Sequence, residues 1–212
     1  MRIDSAGLPF VGLALALGAV AGASGLWALA ALLLFLGGFF LFFFRDPDRV
    51  APPGADVVLA PADGRVVAAG PADANAAPPG SWLQVSIFLS PMDVHVNRIP
   101  VSGRVTRVVF TRGRFLPAYR HDAAAVNERS ELWIDHGGQT IVARQVVGIL
   151  ARRVVCRVEA GADVRAGDRF GIMKFGSRMD VFLPLTAMVR VKVGDAVRGG
   201  ETVMAVLHSG HG

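Results

Sequence analysis

The stretch Phe175-Gly176-Ser177-Arg178 offers the most specific chemistry in this chain. Gly176 has no Cβ, so it reaches backbone angles closed to other residues and leaves its carbonyl open to approach. Ser177 sets a hydroxyl beside that carbonyl. In a strained turn, with a base at hand, such a serine attacks the peptide bond before it instead of an external substrate. A tight hairpin turn with a solvated serine is the plain alternative. Two other stretches carry groups that could assist. Pro61-Ala62-Asp63-Gly64 puts a carboxylate in a turn between strand-like runs, where a structural Asp-Gly turn is the alternative. Ser90-Pro91-Met92-Asp93-Val94-His95-Val96-Asn97-Arg98-Ile99-Pro100 packs Asp, His, Asn and Arg just after an apolar run. A histidine with a carboxylate partner is a standard means of activating serine. Asp63, His95 and Ser177 therefore form a candidate Asp–His–Ser set drawn from distant parts of the chain.

A second signal is electrostatic. Between Val94 and His121 there is no Asp or Glu, but Arg98, Arg104, Arg107, Arg112, Arg114 and Arg120 all occur. A solvated β face is one reading, and an anion-facing surface is the other. Arg98, Arg112 and Arg114, with Tyr119, are the candidate substrate-binding residues. His121, His136, His208 and His211 show no pairing pattern, and no metal-ligand spacing stands out, so no metal is expected.

These groups need elements to position them. The chain has 212 residues, room for one good domain and an appendage. Its hydrophobic content is 52% and its mean hydropathy +0.46, too apolar for an ordinary soluble domain. The excess lies at the front. Residues 6–44 carry no charge, and as one helix they would run to roughly 60 Å, about twice a bilayer's hydrocarbon thickness. The small residues Gly22, Ala23, Ser24 and Gly25 mark a break. The pattern predicts two apolar helices, about Leu8–Ala21 and Leu26–Phe44, forming a membrane hairpin or one span with a shallow segment. A cleaved signal peptide fits less well, because a second apolar block follows. Arg2, Arg45 and Arg49 flank the hairpin and place both ends on the cytoplasmic side of the cell membrane.

Residues 45–56, with Pro47 and Pro52-Pro53-Gly54, read as a linker that stops the helix. From residue 57 to 212 the pattern changes to short β-type runs between Gly, Pro and Asp turns, with a candidate short helix near Ala123–Arg129. Two segments, Val158–Ile172 and Val191–Val203, share the pattern Val-x-x-Gly-x-x-Val-x-x-Gly, with an Asp at one of the two positions after the first Gly. It resembles the turn-and-strand pattern of lipoyl- and biotinyl-type barrels. The expected fold is mainly β, a lipoyl/biotinyl-like barrel-sandwich domain with few short helices behind the apolar hairpin. The formal net charge of +5 fits a surface facing anionic lipid, and no nucleic-acid-binding signature accompanies it. The lone cysteine, Cys156, sits in an apolar run and excludes an intrachain disulfide or a Cys-based metal cluster.

Taken together, the motifs resemble the phosphatidylserine decarboxylases of the short bacterial and archaeal type. Pro61–Gly64, Ser90–Pro100, Asn127-Glu128-Arg129, Gly148–Arg153 and Arg169–Arg178 carry the resemblance, in the expected order. That family cuts itself at a Gly-Ser bond. The resemblance implies that Ser177 attacks Gly176 and that elimination from the resulting ester leaves a pyruvoyl group at residue 177. The cut would give a β chain of residues 1–176 and an α chain of residues 177–212, held together as a heterodimer, alone or within a higher oligomer. The pyruvoyl cofactor would form a Schiff base with the phospholipid substrate and convert phosphatidylserine to phosphatidylethanolamine and carbon dioxide. Asp63 and His95 would form the relay for self-cleavage, with His95 also a candidate proton donor after decarboxylation. Longer family members carry a second histidine where this chain has Arg98, which leaves His95 both tasks or brings in another group. The alternative function is a membrane-tethered lipoyl/biotinyl-type carrier, with Lys174 as the modified residue, or an adaptor domain.

Overall fold

A run of about 40 uncharged residues hides its backbone polar groups most easily as helix. The computed structural model describes residues 2–118, 123–148, 154–174 and 176–208. The chain divides into two units, Met1–Asp48 and Arg49–Gly212. In the first, a short strand β1 (Arg2–Ile3) leads through a 3₁₀ turn to α1 (Leu8–Ala23), then α2 (Trp27–Phe43) and β2 (Arg45–Asp46). β1 and β2 pair antiparallel, closing the base of the hairpin. Gly25 reverses the chain at φ +75°, in the left-handed region. Small residues let the helices approach: a Cβ on Gly18 would lie 3.5 Å from Leu33, and one on Gly37 3.7 Å from Ala14. Leu13, Leu17, Trp27, Leu32 and Phe35 face outward. Residues 5–23 are long and apolar enough to cross a membrane, whereas α2 is shorter.

The second unit is mainly β. In chain order it holds β3 (Val57–Leu59), β4 (Gly64–Pro71), β5 (Leu83–Leu89), β6 (Val96–Arg98) and β7 (Gly103–Thr111). After α3 (Ala123–Val126) come β8 (Arg129–His136), β9 (Gln139–Val146), β10 (Val154–Cys156), β11 (Asp163–Val164) and β12 (Arg169–Met173). The last are β13 (Ser177–Leu183), β14 (Met188–Val189), β15 (Ala196–Val197) and β16 (Val203–Val206). An eight-stranded sheet runs β11-β7-β8-β9-β13-β5-β4-β15, accompanied by two three-stranded sheets, β10-β12-β6 and β14-β16-β3. Val66, Val85, Ile87, Leu132, Ile134, Ile141, Met179 and Val181 are among the side chains that fill the core.

The two look-alike segments take equivalent places. β11 and β15 are the opposite edges of the large sheet, and β12 and β16 are the middle strands of the two small ones. At one edge the Val105 amide donates to Ala162 and Gly161 donates back to Val105. At the other, Val66 donates to Asp195 and Gly194 donates back to Val66. Even the corners match: Ser102 Oγ accepts from the Ala166 amide at 2.9 Å, and Asp63 Oδ1 from the Gly199 amide at 2.7 Å. The body is an approximate internal duplication.

Two details differ from the sequence reading. Ser177 is the first residue of β13, paired with Leu89, instead of lying in a turn between strands. The helix near 123–129 stops at Val126, because Asn127 turns its side chain away to bond Leu116 and Val147.

Candidate active site

Register fixes the site before any side chain is considered. One rung of the large sheet runs Arg65, Phe88, Arg178, Val146, Arg129, Thr111 across β4, β5, β13, β9, β8 and β7. The strands alternate in direction. Just beyond this rung, on one end of the sheet, therefore lie Asp63-Gly64, Leu89-Ser90, Gly176-Ser177, Val147-Gly148, Asn127-Glu128 and Arg112-Gly113. The stretches singled out from sequence meet there.

Ser177 is fully buried. It shares the core-side face of β13 with Met179, Val181 and Leu183. Its Oγ has no hydrogen-bond partner among the described residues. A buried hydroxyl without a partner is uncommon and loses the solvation it had in water. Gly176 precedes it at φ +68°, in the left-handed region, with open space where a Cβ would point. Phe175 lies outside the described residues.

His95 comes from the turn after β5. Asp93 shapes that turn: its Oδ2 accepts from the Ser90 amide at 2.8 Å and from Ser90 Oγ at 2.7 Å. His95 is fully buried, and its carbonyl accepts from the Met173 amide at 3.3 Å. The His95 backbone thus lies beside the strand end that leads into Gly176-Ser177. Its Nδ1 is 2.9 Å from the Asp93 carbonyl. A carbonyl can only accept, so Nδ1 carries the hydrogen and the neutral ring keeps its lone pair on Nε2.

Asp63 is held from two sides. Arg49 Nη2 donates to Oδ2 at 2.8 Å, and the Gly199 amide donates to Oδ1. Arg49 also donates from Nη1 to Glu201 at 2.8 Å. Burial pushes the Asp63 carboxyl above its ordinary value, while the Gly199 amide and Arg49 draw it partly back. The charge of nearby Asp93 adds to the upward push. The Glu201 carboxyl goes the other way, lowered by its hydrogen bond from Arg49.

The candidate substrate arginines separate. Arg98 is buried and donates from Nη1 to the Gly167 carbonyl at 2.9 Å. Arg112 and Arg114 are exposed at the site end of the sheet. Arg114 pairs its backbone with Asn127. Tyr119 and Arg120 lie outside the described residues. Of the remaining arginines, Arg107 stacks 3.6 Å from the Trp133 ring centroid, and Arg104 reaches Asp163 at 3.9 Å. The acids missing from the local sequence are supplied in part from elsewhere.

Three residues at or behind this end escaped the sequence reading in their roles. Arg49 looked like a membrane-flanking charge. Asn127 is fully buried, and its side chain makes three hydrogen bonds, two to Leu116 and one to Val147. Gly148 lies against the Gly176 carbonyl. Among the described residues no group of three or more His, Cys, Asp or Glu could hold a metal.

A buried serine without a partner among the described residues, after a left-handed glycine, is suited to attack its own preceding carbonyl. The family model for phosphatidylserine decarboxylase matches residues 36–205. The chain belongs to that family. Among its relatives is a phosphatidylserine decarboxylase proenzyme of Pelodictyon phaeoclathratiforme, 47% identical over 167 residues, covering 79% of this chain and 78% of the relative. One from Nitrosomonas europaea is 46% identical over 186 residues, covering 86% and 84%. One from Aromatoleum aromaticum is 43% identical over 204 residues, covering 95% and 94%. As a phosphatidylserine decarboxylase homologue the chain is a decarboxylase of phospholipid metabolism, and the relatives' names mark them as zymogens.

Proposed function

We propose that this chain converts phosphatidylserine to phosphatidylethanolamine and carbon dioxide, using a pyruvoyl group that it makes from Ser177 by cutting the Gly176–Ser177 bond. The observation that carries this is the fully buried Ser177 Oγ, without a hydrogen-bond partner among the described residues, directly after a left-handed glycine. Ser177 Oγ adds to the Gly176 carbonyl carbon, the C–N bond breaks, and the amide becomes an ester. Loss of the Ser177 Cα proton expels Gly176 as a carboxylate and leaves dehydroalanine, and water then replaces the nitrogen, released as ammonia. When present, the pyruvoyl ketone supplies an electron sink for decarboxylation.

The chain's own groups do the rest. His95 Nε2 takes the Ser177 hydroxyl proton and later returns a proton to the substrate carbon. Asp63, raised by burial and drawn partly back by Arg49, is the relay's second acid–base group; since the His95 Nδ1 hydrogen goes to the Asp93 carbonyl, Asp63 assists by charge and not as the Nδ1 partner. Arg112 and Arg114, exposed at this sheet end, receive the phosphate of the lipid, with Tyr119 as a further candidate. Arg98, tied to Gly167, shapes the corner beside Asp63 and has less reach toward substrate.

The body, residues 57–212, reads as a lipoyl/biotinyl-type barrel-sandwich, supported by the matched Gly-Asp turns at the two sheet edges. Residues 1–44 anchor it to the cell membrane on the cytoplasmic side, and residues 45–56 link the two. The α chain, residues 177–212, stays bound to the β chain, because β13 sits between β9 and β5. The carrier alternative gains no support from the comparisons, which match a decarboxylase family. An intact mass spectrum tests the reading. The wild-type protein should give two chains, the smaller beginning with pyruvoyl, and Ser177→Ala should give one uncut chain; two chains from that variant would refute the scheme.

A further inference from the structure

The strongest steric constraint at the site falls on a residue with no chemistry of its own. A Cβ built on Gly148 would lie 1.9 Å from the Gly176 carbonyl oxygen and 3.0 Å from its carbon. Real Cβ atoms essentially never approach closer than 3.0 Å. The φ of Gly148 is outside the left-handed region, so its backbone does not require glycine. The space does. The scissile carbonyl lies against the bare backbone at the exit of β9.

That backbone is itself held. The Val147 amide donates to the Glu128 carbonyl at 3.1 Å, and the Val147 carbonyl accepts from Asn127 Nδ2 at 2.8 Å. Asn127 Nδ2 also donates to Leu116 at 2.8 Å, and Oδ1 accepts from the Leu116 amide at 3.0 Å. Asn127-Glu128 thus grips Val147 from both sides, and the next residue is Gly148.

We infer that Asn127 and Gly148 are positioning residues for self-cleavage: together they form a rest that sets the Gly176 carbonyl for addition of Ser177 Oγ. As Oγ adds, the carbonyl oxygen gains negative charge while lying against Gly148. The C–N bond to Ser177 then breaks, the hydroxyl proton ends on the Ser177 nitrogen, and the ester forms. The Asn127 side-chain bonds described above go to Leu116 and Val147, and Gly148 has no side chain. They act on geometry, and an error of about 1 Å in such geometry slows a reaction on the order of a hundredfold. The overlap at Gly148 exceeds that.

The inference rests on the self-cleavage reading, and the experiment separates the two. The full-length chain is made by cell-free translation with phospholipid vesicles, and the fraction cut is followed on denaturing gels between pH 6 and 9. Gly148→Ala should cut about a hundredfold more slowly than wild type with the same pH dependence. Gly103→Ala is the steric control. Its Cβ would lie 2.2 Å from the Asp135 carbonyl oxygen, a comparable overlap at the opposite end of the sheet, and it should cut at close to the wild-type rate. Asn127→Asp keeps the size and the acceptor but removes two donated hydrogen bonds, and it should cut at least about tenfold more slowly. It decides the matter if Gly148→Ala does not fold. Hydroxylamine, which splits esters, should release no extra chains from the slowed variants, since their defect precedes the ester. Wild-type cutting rates in both variants, or an accumulated hydroxylamine-sensitive ester, would overturn the inference. A wild-type chain that stays whole would remove the self-cleavage reading itself.

Discussion

Arg49→Ala is the substitution whose effect is best defined by the geometry. Arg49 is the shared partner of Asp63 and Glu201, at 2.8 Å from each, with its side chain only 10% exposed. The Asp63 side chain is 16% exposed and that of Glu201 31%. Losing the arginine leaves the Asp63 charge largely out of water, with only the Gly199 amide against it among the hydrogen bonds described above. Breaking a fully buried pair costs about 3–5 kcal/mol. Residual solvent contact on both sides argues for the lower end, about 3 kcal/mol. For a body of this size that lowers the melting temperature by roughly 6–12 °C. Glu201→Ala removes a more exposed pair, worth about 0–1 kcal/mol, and should lower it by roughly 3 °C or less. The comparison is best made in the Ser177→Ala background, which keeps the chain whole, by differential scanning calorimetry in detergent. If Arg49→Ala melts within about 2 °C of its parent, Asp63 is not a buried charge that needs this partner, and the account of its environment fails.

Other expectations follow from the same geometry. Asp63 has a raised pKa in the fold, so its proton-linked stability is present below the unfolded value of 3.8 and is lost as pH rises through the folded value. Asp63→Asn should therefore flatten the fall in stability above about pH 4, which a pH series of melts would show. His95→Ala should slow maturation, decarboxylation or both, by about a hundredfold or more for whichever step uses it as acid or base; unchanged rates of each would remove it from the mechanism. Burial pushes the Cys156 thiol up, so at pH 7.5 it should react with a thiol reagent more slowly in the folded protein than in denaturant.

What could be read in the sequence was whatever depends on neighbours along the chain. The uncharged front with its small-residue break gave a helical hairpin, observed as Leu8–Ala23 and Trp27–Phe43. The Gly-Asp repeats gave turns, and Gly176-Ser177 gave a serine after a glycine that is left-handed in the fold. What could not be read depends on partners far off in sequence. Asn127 showed as a member of the Asn127-Glu128-Arg129 motif without a role, because its partners Leu116 and Val147 come from other elements. Arg98 counted toward an anion-facing surface, yet the carbonyl it binds belongs to Gly167. Gly148 showed only as part of a motif, since its neighbour across space is residue 176. Ser177 was placed in a turn because its ladder partner, Leu89, lies on a strand far earlier in the chain.

The duplicated corners give the molecule an internal reference. Ser102 and Asp63 hold the same kind of backbone amide at matching corners, Ser102 exposed and Asp63 half-buried, and at the exposed corner a neutral hydroxyl is enough. Only the Asp63 corner puts a carboxylate on that amide and an arginine, Arg49, on the carboxylate. The Ser102 corner, where His136 Nδ1 donates to the Ser102 carbonyl at 2.7 Å, shows how the same scaffold closes without a charge at that position.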